Sequence, residues 1–564
     1  MAFFLKKQKQ NNRTYLHIYE SFYSPITKNT KHKFIKSMGS VQSLSAEGIK
    51  DPVYFAQQEV DRMNLKRDRS KVKLISDVSP VVHLGYFPLA AIMNKLQIKK
   101  YVDLFKLSTD FSFDLYDVLS SLVYARVIKP CSKYKTYYEV IPNLYDDYQF
   151  SYDQLLEGLA FYGNDYQKFV ELFNTQVDRF YKLDTSTTYF DCTNFYFEID
   201  REDDFRRKGV SKENRKNPLV GLGLLLDRNQ IPCGMKIFPG NESEKPVIRD
   251  VISSLKQRNE IEGRTIQVAD KGLNCAQNIL EAKKNGDGYI FSRSVRNLEK
   301  KEVVWLLLDN DYVDVKDSDG KILYRYKECV DRFSYDYITE EGRKVKVEIT
   351  EKRVATYNPR LAVKQKAEIN RMVEKVKNLQ LSKAKRSEYG DAGKYVTFSS
   401  TSKGKVTDDK VNVSLNQAKI EDDLSLTGYN LLVSSEINMK ALDIYRVYHN
   451  LWRIEESFRI MKSDLDARPV HLQKQETIQG HFLICYIAVL LQRIFQFHIL
   501  KNQYSSSDII NLFKNFNVVK SDRGYLNLMT SNKFVNEFST GANLPINHLN
   551  LSATKLKKVF NYRP

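Results

Sequence analysis

Cysteine is scarce and dispersed in this chain of 564 residues. The six cysteines, Cys131, Cys192, Cys233, Cys275, Cys329 and Cys485, form no CxxC pair and no Cys/His cluster, which argues against a zinc module and for a reducing compartment. Long apolar runs are lacking as well. The best membrane candidate, FLICYIAVLL at 482–491, is about half the length of a span and ends in Gln492 and Arg493, so it reads as a buried core helix. The opening MAFFLKKQKQ has too short an apolar stretch for a signal peptide. Repeats and low-complexity segments are missing. The expectation is a cytoplasmic protein with no membrane partner.

What is abundant is positive charge. Lys and Arg outnumber Asp and Glu by 88 to 69, a net +19, so a polyanion is the natural partner and nucleic acid the leading one. A basic surface kept for solubility is the alternative. With 42% hydrophobic and 12% aromatic residues the chain can bury sizeable cores, and its length suggests three or four structural units.

Residues 1–78 are basic and β-prone (TYLHIYESFY, KFIKSMGSV), with the Pro/Asn/Lys-rich SPITKNTKHK between, which predicts a small strand-rich unit. Residues 79–182 turn helical, interrupted by the basic break KPCSKYKT; these helices fit a DNA-binding module and an ordinary bundle core equally. From 183 to 295 the order is β-β-β-α-β-α-β: STTYFDCTNFYFEI, the basic loop RRKGVSKENRKNP, the hairpin LVGLGLLLD/IPCGMKIF, a helix, TIQVAD, a helix with Gly286 as its cap, and GYIFSR. That is the order of a ribonuclease H-like α/β core, a mixed sheet flanked by helices. Its closing helix is delayed: 296–428 intervene as a β-rich insertion (EVVWLLLDNDYVDV, ILYRYKECV, KVKVEI) with a charged helix. The core resumes over 429–500, and 501–564 read as a small appendage.

Two carboxylates stand out. Asp191 lies within an otherwise apolar strand, where an ionised group costs several kcal/mol unless a cation or hydrogen bonds compensate. Asp270 ends TIQVAD at the carboxyl edge of the sheet, where sites of α/β folds gather. Paired central strands bring both to one edge. Converging carboxylates form an oxygen-ligand site for Mg²⁺ or Mn²⁺, and two such ions about 4 Å apart can stabilise an in-line phosphoryl displacement. The bland alternative is a buried hydrogen bond for Asp191 and a turn for Asp270.

DCTNFYFE, VADKGL and YHNLWRIEESFRIMKSDLDARPVHL together resemble bacterial insertion-sequence transposases of the DDE type, in the group known by its Y-x2-R-x3-E-x6-K signature. The likeness extends to GVSKENRKNP, FPGNESE and IQGHFLICYIAVLL. It implies a catalytic triad of Asp191, Asp270 and Glu455 holding two divalent metal ions, Mg²⁺ or Mn²⁺, with Tyr448 and Lys462 as the signature tyrosine and lysine. It also implies a β-rich insertion before the last helix of a ribonuclease H-like core. The interval from Asp270 to Glu455 far exceeds the roughly 40 positions that a strand, a connection and a helix need, which requires an insertion independently. One position departs from the signature, because Leu451 stands where the arginine belongs.

The resemblance implies a transposase that cuts double-stranded DNA at the inverted repeats ending its element, joins the 3′ ends to target DNA, and self-associates into a dimer or higher synaptic complex. The setting is the bacterial cytoplasm, at the nucleoid. A ribonuclease H-like nuclease or resolvase without strand transfer, and a non-catalytic transposase-derived DNA-binding protein, are the alternatives. Within 445–472, read as one helix, Val447, Leu451, Ile454, Phe458, Met461 and Leu465 form an apolar stripe. At about 100° per residue Glu455, Lys462 and Tyr448 share one border of that stripe, whereas Glu456 comes out near 180°, facing solvent or the insertion. Arg459 falls on the flank of Glu455 and Lys462 and is the replacement expected for the missing arginine. Trp452, one turn before Glu455, either stacks on a displaced base or packs against the insertion.

Overall fold

The computed structural model describes residues 2–24, 29–71, 80–210, 216–258, 260–261, 263–339, 341–381, 386–399, 412–521 and 524–564. The chain divides into two units, Met1–Pro80 and Val81–Pro564. The first is a three-stranded antiparallel sheet, Phe3–Gln10, Arg13–Ser24 and Asn29–Ser40, followed by helices Val41–Ala46 and Pro52–Lys71. Strand alternation puts Leu16 against Leu44 and Ala56, while His17 and Tyr19 on the other positions meet the ring of Phe34. The long helix was not legible in a segment read as strand-rich. The boundary near 78 lies outside the described residues.

The second unit begins with a helical layer. Helix α1 (Leu115–Ile128) starts at Asp114, whose carboxylate accepts the Asp117 N–H, and it is buried from Val118 to Ile128. Helix α2 (Tyr152–Asn164) opens with a capping box between Ser151 and Gln154. These helices supply bundle core.

Against that layer stands a nine-stranded mixed sheet of described residues: β1 (Thr187–Tyr196), β2 (Leu219–Leu226), β3 (Pro232–Pro239), β4 (Ile266–Ala269), β5 (Gly288–Arg293), β6 (Val313–Lys316), β7 (Ile322–Ile338), β8 (Lys344–Tyr357) and β9 (Tyr429–Ser434). Its order is β6-β7-β8-β9-β5-β4-β1-β2-β3. Strands β1, β2 and β3 pair antiparallel, β1, β4 and β5 pair parallel, and β9 closes antiparallel on β5. Every residue of β2 is buried, as a strand covered on both faces requires. The helices Glu244–Gln257 and Ala276–Lys284 make the crossovers, the second ending at Gly286 with φ +74° and the Asp287 N–H returning to the Ala282 carbonyl. The loop 206–218 is only partly described, since 211–215 lie outside.

Three further helices cover one face of the sheet: α3 (Ala441–His449), α4 (Trp452–Arg459), continued by a π-helical turn over Ile460–Asp464, and α5 (Gln475–Ile494). Helix α5, continued to Ile499, is long and apolar enough to cross a membrane, yet 83% of its most apolar window is buried within the fold. It crosses α2 so closely that a Cβ on Gly163 would meet the Glu476 carbonyl at 1.7 Å, and one on Gly480 the Leu159 carbonyl at 2.2 Å.

Within residues 296–428, read as a β-rich insertion, β6, β7 and β8 extend the core sheet, with β8 paired to β9 from Lys352↔Ser434 to Tyr357↔Tyr429. Without them β9 would present an open edge. Three other expectations need correction. The stretch EVVWLLL, read as β-like, is the helix Lys300–Leu307, nucleated by a capping box between Glu299 and Glu302. Residues 501–564 are no appendage: Asn517–Ser521 pairs with Val81–His83, and Phe87 meets Phe516, Phe538 and Tyr562. The helix expected over 445–472 is broken at Asn450 and Leu451, where the N–H groups of Leu451, Arg453 and Ile454 each bond three residues back and tighten the turn.

Candidate active site

The site is set by strand register. Across the parallel β1/β4 ladder Phe190 pairs with Ala269, and the next residue on each strand is an aspartate, Asp191 and Asp270. Phe190 and Ala269 lie in the core on one face, Tyr189 and Val268 in the core on the other. Alternation therefore sends both aspartates to the Tyr189/Val268 face, under α3–α5, on strands about 4.8 Å apart. Asp191 Oδ1 accepts the Cys192 N–H at 2.8 Å, and the Asp270 carbonyl accepts the Leu273 N–H at 3.0 Å in the turn that follows β4.

Tyr448, on α3, donates its hydroxyl to Asp270 Oδ1 at 3.0 Å. Burial, and after it the Asp270 carboxylate, hold the phenol far above its ordinary pKa, so it remains a neutral donor at physiological pH. Glu455 lies in the first turn of α4, exposed to solvent, and its charge also reaches the Tyr448 hydroxyl. Lys462, in the π-helical turn, brings its ammonium to 5.5 Å from the centre of the Phe195 ring on β1. The structure thus joins Asp191, Asp270 and Tyr448 at one edge. Among the described residues no three His, Cys, Asp or Glu side chains stand close enough to hold a metal ion, while the Tyr448 hydroxyl that bonds Asp270 also feels the charge of Glu455.

Residues 190–491 match the family model described as transposase DDE domain, a span that begins one residue before Asp191 and takes in Asp270 and Glu455. The chain belongs to this transposase family. No curated protein matches it. Among solved structures, the piggyBac transposase synaptic complex with hairpin DNA, determined by cryo-electron microscopy, aligns at a TM-score of 0.34 and 11% identity, over 85% of this chain and 84% of that one.

Within the transposase DDE domain Glu456 departs from the orientation expected of it. Glu456 does not face solvent. Its side chain is 14% exposed, and its carboxylate lies 3.1 Å from the guanidinium of Arg493 on α5, which is wholly buried. Arg493 also bonds Ser457 Oγ and Gln496 Oε1, and burial lowers its pKa to about 10. The buried arc of α4 includes Ser457 and Ile460 besides the apolar stripe, so Glu456 falls on one border and Glu455 on the other. Arg493 was missed by the sequence reading, although an arginine inside the apolar run LLQRIF was a visible sign of a buried partner.

The remaining residues of the transposase fall as follows. Leu451 is buried at 8% exposure. Arg459 is 57% exposed and stands 3.9 Å from Glu456 and 3.8 Å from Asp464, an arrangement worth under about 1 kcal/mol. Trp452 is 48% exposed, with the Arg453 guanidinium 4.1 Å from its ring centre. Tyr448→Phe removes only the hydroxyl, with its hydrogen bonds to Asp270 and Ser292. It should slow cleavage about 10- to 100-fold with an unchanged melting temperature, and cleavage at the wild-type rate would exclude the phenol from the site.

Proposed function

We propose that this protein is an insertion-sequence transposase of bacterial type that cuts DNA at the ends of its element and joins the freed 3′ ends to target DNA. The observation that carries this reading is the in-register placement of Asp191 and Asp270 at one sheet edge with Tyr448 bonded to Asp270. The strand order β3-β2-β1-β4-β5, antiparallel and then parallel, supports a ribonuclease H-like core built from 183–295 and 429–500. The Tyr448, Glu455 and Lys462 spacing supports the Y-R-E-K group, with Leu451 as its exception.

Hard oxygen donors suit Mg²⁺ or Mn²⁺, and in this reading Asp191, Asp270 and Glu455 are the ligands of two ions. When bound, such ions neutralise phosphate charge and activate the attacking oxygen in an in-line displacement. The chain's own part is positional: Tyr448 fixes the Asp270 carboxylate, and Lys462 offers a cation near the same edge. Cutting and joining are both phosphodiester attacks, first by water and then by a terminal hydroxyl, so one site serves both. The net charge of +19 supports double-stranded DNA as partner, both element ends and target, brought together by at least two copies of the chain.

The test is a joining assay on DNA flanking the encoding gene. Cut and joined products in Mg²⁺ or Mn²⁺, and neither in excess chelator, are expected. Cutting without joining would make the protein a nuclease or resolvase; binding without cutting would make it a DNA-binding derivative. Full activity in chelator would remove the metal site.

A further inference from the structure

We infer that a cavity at the end of the π-helical turn after α4 seats a backbone phosphate of the DNA strand, with Lys133 as its buried ligand and the tyrosines at its mouth as a stacking platform. This rests on the transposase reading and adds a binding site to it.

The cavity holds about 420 Å³ and lies between the basic break KPCSKYKT and the run Asp466–Leu472. Ser132 caps the short turn Lys133–Lys135, which directs the Lys133 side chain inward to 5% exposure. Its ammonium donates to His481 Nδ1 at 3.2 Å, and His481 Nε2 donates in turn to the Ala467 carbonyl at 3.0 Å. That bond uses one of three ammonium protons. Arg126, also 5% exposed, donates to the main-chain carbonyls of Cys131, Leu465 and Asp466 at 2.9, 3.4 and 3.5 Å.

Two buried basic side chains and a buried histidine thus line one cavity, and among the described residues no ion pair reaches Lys133 or Arg126. Asp466, the carboxylate on the lining, is exposed. Burial, and after it the Arg126 charge, depress the Lys133 pKa well below its usual value. The protonated form is costly here without a counter-charge, and an anion in the cavity would offset that cost and favour the ammonium.

Position and rim select a nucleic-acid strand among anions. Asp466 follows the π-helical turn that continues the helix carrying Glu455, so a strand held at Glu455 can run on toward the cavity. Tyr134 and Tyr138 are 59% and 53% exposed, with ring centres 4.6 Å apart, and Tyr152 stands 5.8 Å from Tyr134. Exposed rings beside a cationic seat are what bases and sugars of a strand stack upon, whereas free phosphate would fill the seat alone.

The experiment measures binding of the full chain to single-stranded DNA from the region that flanks the encoding gene, beside the duplex, across a salt series. Lys133→Met should weaken binding about tenfold and reduce the slope of log affinity against log salt by about one. The exposed pair Tyr134→Ala/Tyr138→Ala should weaken single-strand binding about tenfold with the slope unchanged. If Lys133→Met does not fold, unchanged affinity of the tyrosine variant overturns the inference. Wild-type affinity in all variants overturns it while leaving the transposase reading intact. Inorganic phosphate that raises the melting temperature of the wild type but not of Lys133→Met, with equal DNA affinities, would assign the cavity to a small anion instead. A wild-type chain that binds no DNA would defeat the transposase reading and this site together.

Discussion

Asp191→Asn and Asp270→Asn should each lower metal-dependent DNA cleavage about a thousandfold or more, the scale of losing a group that stabilises transition-state charge. DNA affinity should change little, because the net charge that supplies it comes from lysines and arginines elsewhere. The effect should be equal for the two residues. They continue one register from the pair Phe190↔Ala269, and either alone leaves half of an oxygen-ligand pair. Each side chain is half-buried, Asp191 within β1 and Asp270 just past β4, and Asn matches Asp in volume, so the melting temperature should stay near that of the wild type. A gel-based cleavage assay run beside a binding titration decides it. Folded variants that cut at near the wild-type rate would remove the aspartates from the chemistry.

Glu455→Gln and Glu456→Ala should separate chemistry from stability. Glu455 is exposed, so Glu455→Gln should abolish metal-dependent cleavage without moving the melting temperature. Glu456→Ala strips the carboxylate from Arg493, which has no exposure of its own, and should destabilise the fold by about 3–5 kcal/mol. Glu456→Ala/Arg493→Met should recover much of that loss, since removing both members of a buried pair costs less than removing one. Thermal unfolding of the three variants and cleavage at a temperature where all are folded provide the measurement. A stable Glu456→Ala that fails to cut, with an active Glu455→Gln, would exchange the roles of the two glutamates.

Where the fold was legible, the signal was local. Asp191 and Asp270 were found because an acid in an apolar strand, or ending one, is conspicuous within ten residues, and parallel pairing then does the rest. Tyr448 was singled out by resemblance, and its hydrogen bond to Asp270 forms although it sits on a separate helix from Glu455. The register of Glu456 was missed for two reasons. The tightened turn at Asn450 and Leu451 breaks the uniform 100° step, and Arg493 arrives from another helix that no single-helix periodicity includes. The run EVVWLLL reads as strand or helix by its apolar content, and only Glu299 and Glu302 decide between them. The partner of β9 and that of Asn517–Ser521 are chosen across long stretches of chain, and pairing of that kind leaves no periodic trace.

The extension of the core sheet by β6, β7 and β8 makes this domain hard to treat as modular. In a scaffold where the segment between β5 and β9 hung outside the sheet, it could be shortened, exchanged or removed as a cassette. Here β8 supplies the hydrogen-bonding partner of β9, and β9 that of β5, so the ladder runs unbroken from the outermost hairpin to the strands that end in Asp270 and carry Asp191. Insertions or deletions should therefore be tolerated at the hairpin tips and in the helical patch after β8, whereas the strands are bound to the geometry of the edge that carries Asp191 and Asp270.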